Sequence, residues 1–129
     1  MNAVLSYVTY LAAGIALLIV FFLIYCRVTA YHEWKLIRRG NSAAALSFSG
    51  ALIGFSLTLA SSIMHSDRLL NFVAWGAGAL LMQILTYLAA VSFLRRLATD
   101  IEENNVAVGG ALGALSLTVG ILNAACLSY

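Results

Sequence analysis

The seven basic and five acidic residues of this chain are confined to three short clusters. The first holds Arg27, Glu33, Lys35, Arg38 and Arg39, the second Asp67 and Arg68, the third Arg95, Arg96, Asp100, Glu102 and Glu103. Between and beside them lie four uncharged runs, 1–26, 40–64, 69–94 and 104–129. A helix needs ~20 residues to cross the ~30 Å hydrocarbon layer, so each run is long enough to span it. Backbone amides and carbonyls in lipid must bond to one another, and within a single segment only a helix achieves that. A transmembrane barrel would alternate polar and apolar residues along ~10-residue strands, which these solid runs do not do. Charged residues make up 9% of the chain, against about 25% in soluble domains. The expected fold is therefore an all-α membrane protein, a single membrane domain over 1–129 with four transmembrane helices, near Leu5–Tyr25, Ser42–Met64, Phe72–Leu94 and Val106–Leu127.

Basic residues set orientation. The first and third clusters hold six of the seven, which places both in the cytoplasm by the positive-inside rule and puts both termini outside, in the periplasm of a Gram-negative cell. The first run lacks a basic leader and a small-residue cleavage site, so it reads as a span and not as a signal peptide. Cys26 and Cys126 fall at opposite membrane faces, too far apart for a disulfide.

Side-chain size indicates how the helices meet. In the second span Ser47, Gly50, Gly54, Thr58 and Ser61 form a stripe of small residues. In the fourth, Gly109, Gly113, Ser116, Gly120 and Asn123 do the same. Such stripes allow backbones to approach, so Gly50, Gly54, Gly109, Gly113 and Gly120 are the expected packing positions, and these two helices the close-packed centre. In the first span Ser6, Thr9, Ala13 and Ala16 are expected to face the bundle and the bulky Leu17–Ile24 stretch to face lipid. Gln83, Thr86 and Asn123 are the candidate intramembrane polar positions. The simplest role for Gln83 is an interhelical hydrogen bond of ~1 kcal/mol.

Outside the membrane, Glu33, Trp34, Lys35, Arg38 and Arg39 form a candidate cytoplasmic docking patch on a brief amphipathic helix, for a protein partner or anionic lipid. Topology alone also calls for such charges. His65 and Asp67 share a tight outer loop, but two ligands fall short of the three or four a metal site needs. No metal, cofactor or nucleic-acid partner is expected.

The two halves overlay. At a shift of 64, Ala13 meets Ala77, Gly14 meets Gly78, Leu17 meets Leu81, Asn41 meets Asn105 and Ala43 meets Ala107. After a one-residue slip, Gly50-Ala51-Leu52 meets Gly113-Ala114-Leu115. The expected repeats, about 5–64 and 69–128, each hold two spans and so are parallel, related by an axis along the membrane normal. Arg38 and Arg39 then align with Glu102 and Glu103, and the two inner loops are expected to pair, within a chain or between chains.

Several of these residues carry a resemblance. Glu33-Trp-Lys-Leu-Ile-Arg-Arg-Gly-Asn41, Ala43-Ala-Ala-Leu46, Phe48-Ser-Gly50 and Gly54 resemble the first repeat of the bacterial YjfL inner-membrane family (domain of unknown function 350, UPF0719). Phe72-Val-Ala-Trp-Gly76, the stretch from Asn105 to Gly110 and Gly120-Ile-Leu-Asn-Ala-Ala-Cys126 resemble its second. In the second half acidic residues replace the basic pair, and Asn104 stands where Gly40 stands. The resemblance implies a four-span inner-membrane protein in an envelope-stress setting, with a phage-shock-protein-A-like peripheral protein as partner. It supplies no reaction or catalytic residue.

Three functional classes compete. No Ser–His–carboxylate set, zinc spacing or phosphate loop is legible, so an enzyme is not expected. No charge falls within a span, which argues against an ion-coupled carrier. A small channel for a neutral solute or ion remains the alternative. Four helices are few to enclose a path, so it would be a homo-oligomer. The leading expectation is a membrane anchor or recruitment component.

Overall fold

The computed structural model describes residues 2–29 and 32–127. The chain ends and residue 128, where the second expected repeat closes, lie outside the described residues. Six helices follow one another: α1 (Ala3–Val28), α2 (Glu33–Arg38), α3 (Ser42–His65), α4 (Leu69–Phe93), α5 (Leu97–Glu102) and α6 (Val106–Cys126). There is no strand among the described residues. The four long ones, α1, α3, α4 and α6, are long and apolar enough to cross a membrane. Three of them start on an asparagine whose side chain accepts from an amide three residues on: Asn2 from Leu5 at 2.7 Å, Asn41 from Ala44 at 2.8 Å and Asn105 from Val108 at 3.2 Å. A capping oxygen there satisfies one of the donors that a helix start leaves open.

α3 is the centre, touching every other helix. Its main partner is α6, and the two run parallel, because contacts advance together along both: Ala43 with Gly109, Gly50 with Gly113, Gly54 with Gly120, Ser61 with Ala124. Lipid is as apolar as a leucine side chain, so packing and hydrogen bonds must hold this pair together. A Cβ built on Gly50 would fall on the Gly113 backbone, and one on Gly113 would fall on the Leu46 carbonyl. Thr58 adds a hydroxyl that donates to the Gly120 carbonyl at 2.9 Å across the seam, and Ser61 donates to Ala124 at 2.6 Å.

α4 lies across α3 and α6, and α1 packs on α3 and α4. α1 attaches by aromatic rings where α6 attaches by small residues. Phe21 stacks on Phe55 at 4.7 Å between centroids, Tyr25 meets Phe48 at 5.9 Å and Tyr87 at 5.8 Å, and Tyr10 meets Phe72 at 5.7 Å. This corrects the expectation for α1. Phe21, inside the Leu17–Ile24 stretch expected to face lipid, is fully buried, and Leu17 rests against Gly76, while Ala16 is exposed. An apolar residue is equally at home against lipid or protein, so hydropathy did not distinguish the two faces. α5 was also unforeseen: the third charge cluster carries a helical turn that buries Leu97 and Ile101.

Candidate functional site at the basic end of the bundle

α2 and α5 lie at the same end of the bundle and are built alike. Each has six residues and is followed by a left-handed residue, Gly40 at φ 84° and Asn104 at φ 59°. Glycine adopts that region without steric cost, and asparagine is among the few side chains that visit it. In both, the left-handed residue's amide donates to the carbonyl three residues back, Gly40 to Ile37 and Asn104 to Ile101, each at 3.0 Å. The next amide donates five back, Asn41 to Leu36 at 2.9 Å and Asn105 to Asp100 at 2.8 Å. This paired closure ends the short helix, and the same asparagine starts the following span.

The two connectors hold one another. Asn41 Nδ2 donates to the Ile101 carbonyl at 2.7 Å, and Asn104 Oδ1 accepts from the Ala43 amide at 2.9 Å. Each half thus bonds a backbone group at a helix terminus of the other: the Ile101 carbonyl, shared with the Asn104 amide, and the Ala43 amide. Neither bond was foreseen. The signal available was the asparagine pair Asn104-Asn105, whose first member has no capping duty within its own half.

Of the docking patch, Trp34, Lys35, Arg38 and Arg39 are exposed. Trp34 stands edge-on to Phe22 at 6.3 Å, so its ring bridges α2 and α1. With Lys35, Arg38 and Arg39 it lines a groove of about 370 Å³. Arg39 also faces a neighbouring groove of about 290 Å³ that it shares with Glu102. Glu33 departs from the patch: it is 1% exposed and cannot meet a docking partner. The reason is helical spacing. Glu33, Leu36 and Ile37 share the face of α2 turned to the bundle, which sends Trp34, Lys35 and Arg38 outward. Beneath that face lies Tyr25, itself fully buried and within electrostatic range of Glu33.

The remaining candidate positions lie elsewhere. Gly50, Gly54, Gly109, Gly113 and Gly120 are at the α3–α6 crossing. Gln83 reaches that crossing from α4: its Nε2 donates to the Ser116 carbonyl at 3.1 Å, beside Gly54, and its buried Oε1 has no hydrogen-bond partner among the described residues. Thr86 bonds back to Met82 of its own helix at 2.8 Å. Asn123 lines a cavity at the other end of the bundle with Ser62, His65, Asp67, Asn71 and Trp75. The structure therefore does not gather the three intramembrane polar positions along one path. Cys26 and Cys126 are both free, and among the described residues no three His, Cys, Asp or Glu side chains are placed to hold a metal ion.

Residues 1–127 match the family described as Domain of Unknown Function (DUF350). The chain belongs to this family. It is 34% identical over 129 residues to the UPF0719 inner membrane protein YjfL of Escherichia coli K12, covering all of this chain and 98% of that protein. It is 28% identical over 126 residues to the UPF0719 transmembrane protein YshE of Bacillus subtilis 168, covering 96% of this chain and 94% of that one. No solved structure matches. The connectors, the patch and the glycine crossing of this DUF350 chain all lie within the matched residues.

Proposed function

We propose that this protein is a non-enzymatic, multi-pass inner-membrane anchor that presents α2 to an acidic peripheral protein on the cytoplasmic face. The observation that carries the reading is the division of α2: Glu33 is buried, while Trp34, Lys35, Arg38 and Arg39 stand exposed around one groove. With Glu33 turned inward, an aromatic and three cations supply the contact chemistry outside, tryptophan and arginine being the side chains that most often dominate interfaces. The inner-membrane location is supported by the name of the E. coli relative, an inner membrane protein, and by the four membrane-length helices. The orientation rests on the six basic residues at the α2 and α5 end. The envelope-stress setting and a phage-shock-protein-A-like partner belong to the same proposal, as does descent of the halves from a two-helix repeat. The repeat is supported by the parallel α3–α6 contacts, offset by about the same spacing as the sequence overlay.

Two measurements test this. A reporter that fluoresces only in the cytosol, fused after Tyr129, should stay dark. A photo-crosslinking residue at Trp34 in native membranes should yield an adduct with one peripheral protein that disappears in Arg38→Glu/Arg39→Glu. Adducts with lipid alone overturn recruitment. The channel reading draws on the unpartnered Oε1 of Gln83. It requires solute flux through reconstituted vesicles that is lost in Gln83→Leu, and such flux would displace the anchor reading.

A further inference from the structure

At the end of the bundle opposite α2 and α5, the tips of α3, α4 and α6 enclose a cavity of about 480 Å³. That volume lies within the range of small-molecule sites. Its lining carries one formal charge, that of Asp67, among neutral polar groups from Ser62, Ser66, Asn71 and Asn123. Asp67 offers a carboxylate, an acceptor only. His65 Nδ1 lies 2.8 Å from the Ser61 carbonyl, so that nitrogen carries the proton and, in the neutral ring, Nε2 is left as an acceptor. Asn71 and Asn123 come from different helices and add amide oxygens, and Trp75 contributes an electron-rich ring, 58% exposed. Among the described residues no lysine or arginine lines the cavity. Arg68, the next residue in the chain, is exposed and outside the lining.

These groups select by charge. An anion would meet the Asp67 carboxylate and, among the described lining residues, no lysine or arginine. A transition metal would need a third ligand, and among the described residues no such set exists. An ammonium group suits this lining: the Asp67 carboxylate, the His65 Nε2 and the amide oxygens are acceptors for its N–H groups, and an indole is the strongest of the aromatic partners for a cation. We propose that this cavity binds an organic ammonium ion, supplied either as a free small amine or as the amine of a lipid headgroup. The outer end of a membrane bundle gives access to both sources. The proposal does not depend on the recruitment reading, and its readout is Trp75, at the end of the bundle away from α2.

Trp34→Phe leaves Trp75 as the sole tryptophan, since the chain has two. In that background, purified in a detergent free of amines, ethanolammonium chloride should produce a saturable change in Trp75 fluorescence, and sodium acetate none. Asp67→Asn, in an exposed loop where helix content by circular dichroism should be unchanged, should weaken the response about tenfold, as loss of ~1.4 kcal/mol does. A short-chain phosphatidylethanolamine added to the same micelles separates the sources. Binding about tenfold tighter than ethanolammonium, with phosphatidylglycerol inert, assigns the lipid headgroup. Equal or weaker binding assigns the free amine. No saturable response to either probe, or an undiminished response in Asp67→Asn, overturns the proposal.

Discussion

Sixty-four positions apart, Glu33 and Leu97 occupy matching places in α2 and α5, and each is 1% exposed. The surrounding backbone is also matched: six helical residues, a left-handed residue, then an asparagine that starts the next span. One half seats a carboxylate where the other seats an isobutyl group. The difference separates two jobs that a connector performs. Backbone geometry follows from the local code of Gly40-Asn41 and Asn104-Asn105. What the connector presents outward follows from the residue it buries. α5 plugs the bundle with Leu97 and Ile101 and exposes Glu102 and Glu103, whereas α2 tucks in Glu33 and exposes Trp34 and three cations.

The largest expected effect tests the region where the halves meet and are most alike. Gly50→Leu and Gly113→Leu should each cost more than about 3 kcal/mol in detergent unfolding, and about equally, because either side chain lands on the partner backbone. The glycine pair one span earlier is the control. A Cβ at Gly14 meets only a Phe72 ring carbon at 3.9 Å and one at Gly78 meets nothing, so Gly14→Ala and Gly78→Ala should be neutral or gain up to about 1 kcal/mol. Unequal losses at Gly50 and Gly113 would break the likeness of the halves.

Exchanging the buried residues comes next. Leu97→Glu places a carboxylate where leucine is now buried and should cost about 2 kcal/mol by the same measurement. Glu33→Leu should cost about 2 kcal/mol as well, since the groups that meet the buried carboxyl lose their partner. Tolerance of both exchanges without loss would mean that the two places are not distinguished by charge.

The left-handed positions give a graded set. Asn104→Ala loses both its backbone tolerance and its bond to Ala43, for about 2 kcal/mol. Asn104→Gly should lose only the bond, about 1 kcal/mol. Gly40→Ala, with nothing within 4 Å of the added carbon, should show strain alone, about 1 kcal/mol. The smallest effect, about 0.5 kcal/mol, is expected for Asn105→Ala, whose cap is exposed and 3.2 Å long. Scanning calorimetry of the four variants against the parent checks the order.

The four spans were legible because length and hydropathy are local properties, and α1, α3, α4 and α6 lie where the uncharged runs do. Their inward faces were less so. Phe21 reads like its lipid-facing neighbours, and only the stacking partner Phe55, thirty-four residues on, draws it inside. α5 was hidden because Leu97 and Ile101 are a lone apolar pair among polar residues, a pattern too short to register as a period. Glu33 was misplaced because a charge beside tryptophan and lysine reads as solvated, whereas the rotation of a six-residue helix is set by what lies beneath it. The bonds from Asn41 to Ile101 and from Ala43 to Asn104 span sixty positions or more, which no local pattern reports.

That last bond has a consequence for how the protein is made. The amide of Ala43 belongs to the first hairpin, yet its acceptor is synthesised sixty-one residues later. At ribosomal speeds that delay is on the order of seconds. The nascent first hairpin must therefore dwell in the bilayer with an open donor at the start of α3, a ready foothold for water or an insertion factor, until translation delivers the asparagine that closes it.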